Sequence, residues 1–255
     1  MTLYVEEQGV GPALLLIQGL GNSSWPARHM AAGLGARRVI WFDNRGTGRS
    51  PKEPPPESIE QLAHDAAAVL DARSVDRADI LGHSMGGYIA QTLALRRPDL
   101  VRSLVLVGTG PGAPTHEPVP PSTLDVWLAN AHLPPEQYAR NTMHLSFAAG
   151  WKEAHEDEYE RLVHERVEYP TPPACWRAQF DAATRFVETG LPVEEIDVPV
   201  LVVHGEADRV VPISNGRALA ERIPNAKLAV FEGAGHYPYL EQPERFASVV
   251  REFLE

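Results

Sequence analysis

Residues 78–87 read ADILGHSMGG, an apolar run followed at once by a serine that stands between two glycines. The run Ala78–Leu81 is short and aliphatic, which predicts a strand buried on both faces, and a helical pattern begins near Met85. A serine on so sharp a strand-to-helix turn exposes its hydroxyl at the carboxyl edge of a sheet, where the helix directs its first N–H groups. The Gly-x-Ser-x-Gly pattern therefore predicts that Ser84 is a nucleophile.

The same alternation of short apolar runs and amphipathic stretches extends along the chain. It predicts an α/β fold with a mostly parallel sheet flanked by helices. Six runs are predicted strands: Ala13–Ile17, Arg38–Phe42, Ala78–Leu81, Ser103–Val107, Pro199–His204 and Lys227–Phe231. The stretch Thr2–Glu7 is predicted to add an outer antiparallel strand. Helices are predicted between the strands at Ser58–Ala72, Met85–Arg97, Ser214–Ile223 and Pro243–Leu254.

One region interrupts this alternation, because no strand pattern occurs from Gly108 to about Asp197. Prolines lead instead into four helical patterns, at Thr123–Ala131, Pro135–Phe147, Trp151–Tyr169 and Pro172–Val187. The sequence thus predicts a core domain of residues 1–111 and 197–255, with a helical cap of residues 112–196 inserted into it. Six cap side chains are candidates to line a substrate pocket, and the alternative is that they only bury the cap on the sheet: Trp127, Met143, Phe147, Trp151, Trp176 and Phe180.

A serine hydroxyl needs a base to take its proton, and the base needs a third group to orient it. His236 is the predicted base, because it lies in the glycine-rich loop after the last predicted strand, at the edge where Ser84 emerges. Asp208 is the predicted acid, in the loop after the strand Pro199–His204, and Glu206 in the same loop is the alternative. The resulting order of serine, acid and histidine is the one expected of this arrangement.

The tetrahedral intermediate of acyl transfer needs two N–H donors directed at its negative oxygen. One is expected from the backbone of Met85, the residue after the nucleophile. The second is expected from the backbone of Leu20, in the glycine-rich loop that follows the strand Ala13–Ile17. The alternative for this loop is a plain glycine-rich turn between a strand and a helix.

Taken together, these residues resemble the α/β-hydrolase superfamily, in particular its short bacterial serine hydrolases with a helical cap. The matching segments are Gln18–Gly21, Asp43–Ser50, Gly82–Gly87, Gly205–Pro212 and Gly235-His236. The resemblance implies an eight-stranded type of sheet, a cap over the active site, a two-step acyl mechanism and no cofactor. Similar proteins include esterases, 3-oxoadipate enol-lactonases, carbon–carbon bond hydrolases and antibiotic methylesterases. Gln18 departs from the family, which usually has histidine there, and its side chain can still hydrogen-bond within the loop.

Composition limits the possible partners. The 255 residues carry a formal net charge of −11 and contain no run of basic residues, which argues against nucleic acid or an acidic membrane surface as a partner. The partner is therefore expected to be a small-molecule substrate, and the sequence does not indicate an oligomeric state. The chain has one cysteine, no apparent export signal and no zinc-type motif, so a cytoplasmic protein without a bound metal is expected.

These observations predict a hydrolase that cleaves carboxylic esters or lactones of a small, largely apolar substrate through an acyl-enzyme. An alternative is hydrolysis of a carbon–carbon bond in a diketone acid, which needs a cation to hold the substrate carboxylate. Candidate cations in the cap are Arg140, Arg177 and Arg185. A third hypothesis is a ligand receptor or regulator that keeps the triad without turnover. A diketone acid that is consumed faster than any ester would favour the second hypothesis, and recovery of a stoichiometric protein partner with negligible turnover would indicate the third.

Overall fold

The computed structural model describes residues 2–255, which form one seven-stranded sheet with helices on both faces. The strands are β1 (Val5–Gln8), β2 (Ala13–Ile17), β3 (Arg38–Phe42), β4 (Ala78–His83), β5 (Val101–Val107), β6 (Val200–Gly205) and β7 (Ala226–Phe231). Their order across the sheet is β1-β3-β2-β4-β5-β6-β7. The predicted α/β class and mostly parallel sheet are confirmed.

Only β1 runs antiparallel, with Val5 opposite Phe42 of β3, whereas the other six strands are parallel to one another. The predicted antiparallel outer strand is therefore present, although it begins at Val5 rather than Thr2. The sheet has seven strands instead of the eight-stranded type that the resemblance implied. Within residues 2–255, no further strand pairs with the outer edge of β1.

Eleven α-helices occur in residues 2–255. They are α1 (Ala27–Ala31), α2 (Ile59–Ala72), α3 (Met85–Arg96), α4 (Pro121–Asn130), α5 (Pro135–Thr142), α6 (Trp151–Ala154), α7 (Glu156–Glu168), α8 (Pro173–Thr189), α9 (Ile213–Arg222), α10 (Pro238–Glu241) and α11 (Pro243–Leu254). Ser58 caps α2, since its side chain accepts a hydrogen bond from the Gln61 N–H at 3.2 Å, as expected of a serine before a helical pattern.

The sheet divides the apolar core into two layers. Successive residues of a strand point to opposite faces, so Leu15 and Ile17 of β2 pack in the layer that contains α2 and α3. Leu14 and Leu16 pack in the layer that contains α1 and α11. Every residue of β2 is buried, as the aliphatic run predicts for a strand covered on both faces.

Helices α4–α8 all lie between β5 and β6 in the chain. Two of the predicted helices are interrupted: α6 and α7 are separated at His155, whose φ of −136° is not helical, and α5 gives way to a 3₁₀ turn at Met143–Ser146. Both ends of this segment meet, because the Ala113 N–H donates to the Val187 carbonyl at 2.9 Å. The domain limits at 111/112 and 196/197 stay a prediction.

No helix in residues 2–255 combines the length and the apolar character that crossing a membrane requires.

Candidate active site

Ser84 occupies the turn between β4 and α3 in a conformation that non-glycine residues rarely adopt, with φ of 55° and ψ of −121°. Its N–H donates to the Val107 carbonyl of β5 at 2.8 Å, which anchors the turn. The two flanking glycines are required sterically. A Cβ on Gly82 would lie 2.3 Å from the Gly86 carbonyl oxygen, and a Cβ on Gly86 would lie 2.1 Å from that of Ile17. The turn can therefore form only if both positions lack side chains.

His236 and Asp208 come together across two loops at the same edge of the sheet. The His236 Nδ1 lies 2.7 Å from Asp208 Oδ2. The other carboxylate oxygen of Asp208 accepts hydrogen bonds from the backbone N–H groups of Val210 at 2.8 Å and Val211 at 2.9 Å. The Asp208 side chain is buried, whereas Glu206 is exposed to solvent. Of the two carboxylates considered from the sequence, Asp208 is thus the one beside the imidazole.

Two further histidines hydrogen-bond to backbone carbonyls of these loops. His83 Nε2 lies 3.0 Å from the carbonyl oxygen of His236, and His204 Nε2 lies 2.8 Å from that of Val211. Complete burial lowers the pKa of His83 well below 6.5, because water is excluded from the charged ring, and the neighbouring His236 acts in the same direction. Burial also lowers the pKa of His204. Neutral rings can therefore donate their Nε2–H groups to these carbonyls.

The loop after β2 forms a turn that borders Ser84. The Asn22 N–H donates to the Gly19 carbonyl at 3.2 Å, and Gly21 has a φ of 68°, the positive value that a type II turn requires at its third residue. A Cβ on Gly19 would lie 3.1 Å from the Ser84 Cβ. Within residues 2–255, neither the Leu20 N–H nor the Met85 N–H has a hydrogen-bond partner. Both donors predicted for an oxyanion are therefore free.

The Gln18 side chain forms no hydrogen bond within this loop. The side chain is fully buried, and neither of its amide atoms has a partner among the described residues. The loop is held through the Gln18 backbone instead, because the Asn44 side-chain amide donates to its carbonyl oxygen at 3.2 Å.

Two cavities meet at Ser84. The larger has a volume of about 360 Å³ and is mostly apolar, and its lining includes Leu20, Met85, Tyr88, Leu124, Trp127 and Phe180. The smaller, about 30 Å³, joins Ser84 to His236 and is bordered by Trp127, Tyr138, Arg166 and Trp176. The site therefore offers an apolar chamber on one side of the serine and a polar recess on the other.

The six predicted pocket residues divide into two groups. Trp127, Trp176 and Phe180 line these cavities. Met143 and Phe147 do not; both are fully buried in the apolar layer that contains α1 and α11. Trp151 also lies outside the lining, because its ring stacks on Phe147 with centroids 4.3 Å apart. The last three thus pack the cap onto the core.

Three arginines were predicted as candidate cations, and each has other contacts. Arg140 is exposed and pairs with Glu136 and Glu160, Arg177 lies over the Trp176 and Phe180 rings, and Arg185 donates to the Glu57 carbonyl. None of the three lines either cavity at Ser84.

Arg166 of α7 is the cation that borders the polar recess, and sequence reasoning missed it. No carboxylate of residues 2–255 lies within 4 Å of its guanidinium, which sits 5.8 Å from the Tyr138 ring centroid. A signal was present, since Arg166 follows Tyr159 and Leu162 at helical spacings of seven and four and so falls on the apolar face of α7. A half-buried arginine on an apolar face can bind an anion there.

Comparison with known proteins agrees with this architecture. Residues 12–243 match the family model of the alpha/beta hydrolase fold. RutD of Caulobacter sp. (strain K31), for which carbamate hydrolysis is proposed, is 33% identical, with 99% of this chain and 95% of that protein covered. The 2-hydroxymuconate semialdehyde hydrolase of Pseudomonas putida is 32% identical, with coverages of 98% and 89%.

A solved structure is similar over the same range. The enol-lactonase from Burkholderia xenovorans LB400 superposes with a TM-score of 0.81 at 26% identity, and the match covers 99% of this chain and 96% of the lactonase. Both the sequence and the structural matches span the sheet and the inserted helices together. The chain therefore belongs to the alpha/beta hydrolase fold family and is a hydrolase of that fold.

Proposed function

We propose that the protein is a serine hydrolase that cleaves carboxylic esters or lactones of a small, largely apolar substrate through an acyl-enzyme. The observation that carries the proposal is the convergence of Ser84, the hydrogen-bonded pair His236–Asp208 and two free backbone N–H groups where the two cavities meet. This is the set of groups that nucleophilic acyl transfer needs: a nucleophile, an oriented base and donors for an oxyanion.

In the first half of the reaction, the Ser84 hydroxyl oxygen attacks the carbonyl carbon while its proton passes to Nε2 of His236. Asp208 accepts a hydrogen bond from Nδ1, which fixes the tautomer and stabilises the imidazolium. The carbonyl oxygen becomes negative and is bound by the N–H groups of Leu20 and Met85. When the tetrahedral intermediate collapses, the alcohol leaves with the proton from His236.

In the second half, water repeats the same steps. His236 removes a proton from a water molecule, the resulting oxygen attacks the acyl carbon, and Ser84 departs with the proton. For a lactone, the alcohol and the acid are parts of one molecule, so a single hydroxy acid is released. The apolar chamber of about 360 Å³ has room for a short acyl chain or alcohol group and few polar groups to solvate a charged one.

The test is hydrolysis of p-nitrophenyl butyrate by the wild type and by Ser84→Ala. We expect kcat to fall by about 10⁴-fold or more, because removal of a serine nucleophile leaves only binding and oxyanion stabilisation. Ser248→Ala, an exposed serine on α11, is the matched control and should keep the wild-type rate. Equal rates for Ser84→Ala and the wild type would overturn the proposal.

Arg166 favours a second candidate, hydrolysis of a carbon–carbon bond in a diketone acid. Its guanidinium borders the recess beside Ser84 without a carboxylate partner within residues 2–255, so it can bind a substrate carboxylate. The relative from Pseudomonas putida bears the name of such a hydrolase. The two candidates share Ser84 and differ in the bond broken.

A pair of substrates separates the candidates. A 2-hydroxy-6-oxo dienoic acid that is consumed faster than any ester or lactone would favour carbon–carbon cleavage. In that case, Arg166→Met should raise KM for the acid by about tenfold or more, the value of one hydrogen bond to a charged group. The same substitution should leave KM for neutral p-nitrophenyl butyrate within about twofold, and the exposed Arg140→Met is the control for both substrates.

A further inference from the structure

Helix α8 contacts the turn Gly19–Asn22 with two side chains that lie on one helical face, Trp176 and Gln179. The Trp176 ring occupies the space beside Gly21, where a Cβ would lie 2.6 Å from the ring Cδ1. The contact therefore joins a helix of the cap to the loop that borders Ser84.

Gln179 uses both ends of its amide. Its Oε1 accepts a hydrogen bond from the Gly21 N–H at 2.8 Å, and its Nε2 donates to the Arg45 carbonyl at 3.2 Å. The side chain is fully buried. Because one partner is a donor and the other an acceptor, the amide has only one orientation that satisfies both, and its loss would leave buried backbone groups unpaired.

The Gly21 N–H belongs to the peptide that follows Leu20, so its direction constrains the neighbouring peptide that carries the Leu20 N–H. Within the turn, the only other backbone hydrogen bond is the 3.2 Å bond from Asn22 to Gly19. Glycines at 19 and 21 leave this backbone little resistance to rotation. An external contact is therefore what fixes the plane of these peptides.

We propose that Gln179 is a positioning residue, which from the cap holds the Leu20 N–H in the direction needed to bind the oxyanion. This inference rests on the proposed function, since it assumes that Leu20 is an oxyanion donor. It adds that the cap, besides lining the pocket, sets the geometry of the groups that stabilise the transition state.

The role has a kinetic signature that simple packing lacks. The oxyanion exists only in the transition state and the tetrahedral intermediates, so a misplaced donor lowers kcat and kcat/KM by the same factor and leaves KM unchanged. General loosening of the cap would also disturb the apolar chamber and raise KM.

The experiment compares Gln179→Met, which keeps the length of the side chain and removes both hydrogen bonds, with Gln137→Met on an exposed face of α5. For Gln179→Met we expect kcat on p-nitrophenyl butyrate to fall by about 10- to 100-fold with KM within about twofold, because removal of a whole donor costs about 10²- to 10³-fold. Gln137→Met should match the wild type in both constants.

Inhibition by phenylboronic acid gives a second readout. The Ser84 oxygen adds to boron as its proton passes to His236, and the adduct is a tetrahedral anion that resembles the intermediate. Its affinity should fall in Gln179→Met by the same factor as kcat/KM, whereas inhibition by butyrate, a product without the tetrahedral charge, should not change. An unchanged kcat, or a rise in KM alone, would overturn the positioning role.

Gln179→Asn keeps the neutral amide but shortens the side chain by one methylene, which withdraws the acceptor from the Gly21 N–H, so it decides the matter if Gln179→Met does not fold. A fall in kcat with KM unchanged supports the role, and unchanged kinetics overturn it. Ser84→Ala separates the two proposals. If Ser84→Ala hydrolyses the ester at the wild-type rate, the proposed function fails. If Ser84→Ala is inactive and the variants of Gln179 keep the wild-type kcat, only the positioning role fails.

Discussion

The central sheet and the cap are built in different ways. In β2, β4 and β6 every residue is buried, and each of these strands pairs with a parallel neighbour on both sides. In the cap, α4 buries only Thr123 and α6 buries no residue. The sheet is thus stabilised by burial of aliphatic side chains, whereas the outer cap helices contribute little apolar surface to the core.

Specific polar contacts join the cap to the loops of the sheet. The Ser146 carbonyl accepts a hydrogen bond from the His236 N–H at 2.8 Å, and Arg209, next to Asp208, donates to the carbonyls of His144 and Phe147 at 2.8 and 2.9 Å. The first contact is made by the backbone of His236, and the other two by the side chain of the residue that follows Asp208. The sheet therefore supplies the frame of the site, and hydrogen bonds from the cap hold the loops that follow its strands.

The largest effect that we expect concerns the loop after β6. Asp208→Asn should lower kcat on p-nitrophenyl butyrate by about 10⁴-fold, because the amide no longer fixes the required tautomer of His236. Glu206→Gln is the matched control, since Glu206 is exposed in the same loop, and it should keep kcat within about twofold. If Glu206→Gln were the inactive variant, the acid would be assigned to the wrong carboxylate.

The next effect compares a glycine of the frame with one of the cap. Gly86→Ala places a Cβ 2.1 Å from the backbone oxygen of Ile17, so we expect a loss of about 3 kcal/mol or more in the free energy of unfolding. Gly150→Ala in the cap meets no atom within 4 Å and costs only the strain of its φ of 83°, about 1–2 kcal/mol. Urea denaturation measures both, and equal losses would remove the contrast.

Acid should weaken the frame through His83, whose folded-state pKa is lowered by burial. The unfolded chain binds a proton near pH 6.5 and the folded chain does not, so stability is complete above pH 6.5 and declines as the pH falls below it. For one histidine that stays neutral, the decline is about 1.4 kcal/mol per pH unit. Denaturation from pH 8 to 5 should give a shallower decline for His83→Gln than for the wild type.

The matched control for this pH series is His164→Gln on the exposed side of α7. It should follow the wild-type curve over the same range. A His83→Gln variant with the full wild-type decline would mean that other groups account for the sensitivity to acid.

The smallest effect concerns the pocket. Trp127→Ala enlarges the apolar chamber and should raise the preference for octanoate over butyrate esters, measured by the ratio of kcat/KM, by about tenfold. Trp151→Ala removes the same side chain where it stacks on Phe147, outside the cavity lining, and should leave that ratio unchanged. A shift in the ratio for Trp151→Ala would indicate that the substrate pocket extends to the side chains that pack the cap onto the core.

Sequence reasoning was accurate where a local pattern reports a local cause. The aliphatic runs predicted β2 and β3 to the residue, and the order of Ser84, Asp208 and His236 predicted three side chains that the fold brings to one edge. It failed where a contact depends on distant parts of the chain. Gln179 accepts a hydrogen bond from the N–H of Gly21, which is 158 residues away in the chain. Nothing in the helical pattern around Gln179 indicates that partner.

The cap residues illustrate the same limit. An aromatic residue gives the same sequence pattern whether it faces a cavity or a packed layer. The sequence therefore does not distinguish Phe180, which lines the chamber, from Phe147, which is packed in the apolar core. The candidate arginines show the same limit. Arg140 forms ion pairs with Glu136 and Glu160 on the cap surface, whereas Arg166 borders the polar recess. Only the three-dimensional arrangement distinguishes the two arginines.

The two ends of the inserted helices lie against each other: a Cβ on Gly190 would lie 2.1 Å from the Ala113 carbonyl oxygen. Residues 113–190 therefore form one closed loop between strands of the sheet, and the entropy cost of closing a loop depends only weakly on its length. An ancestor could therefore exchange, lengthen or shorten this whole segment without rebuilding the strands that flank it. Recombination at the contact between Ala113 and Gly190 can therefore change the substrate preference of such a scaffold and leave the residues on the sheet unchanged.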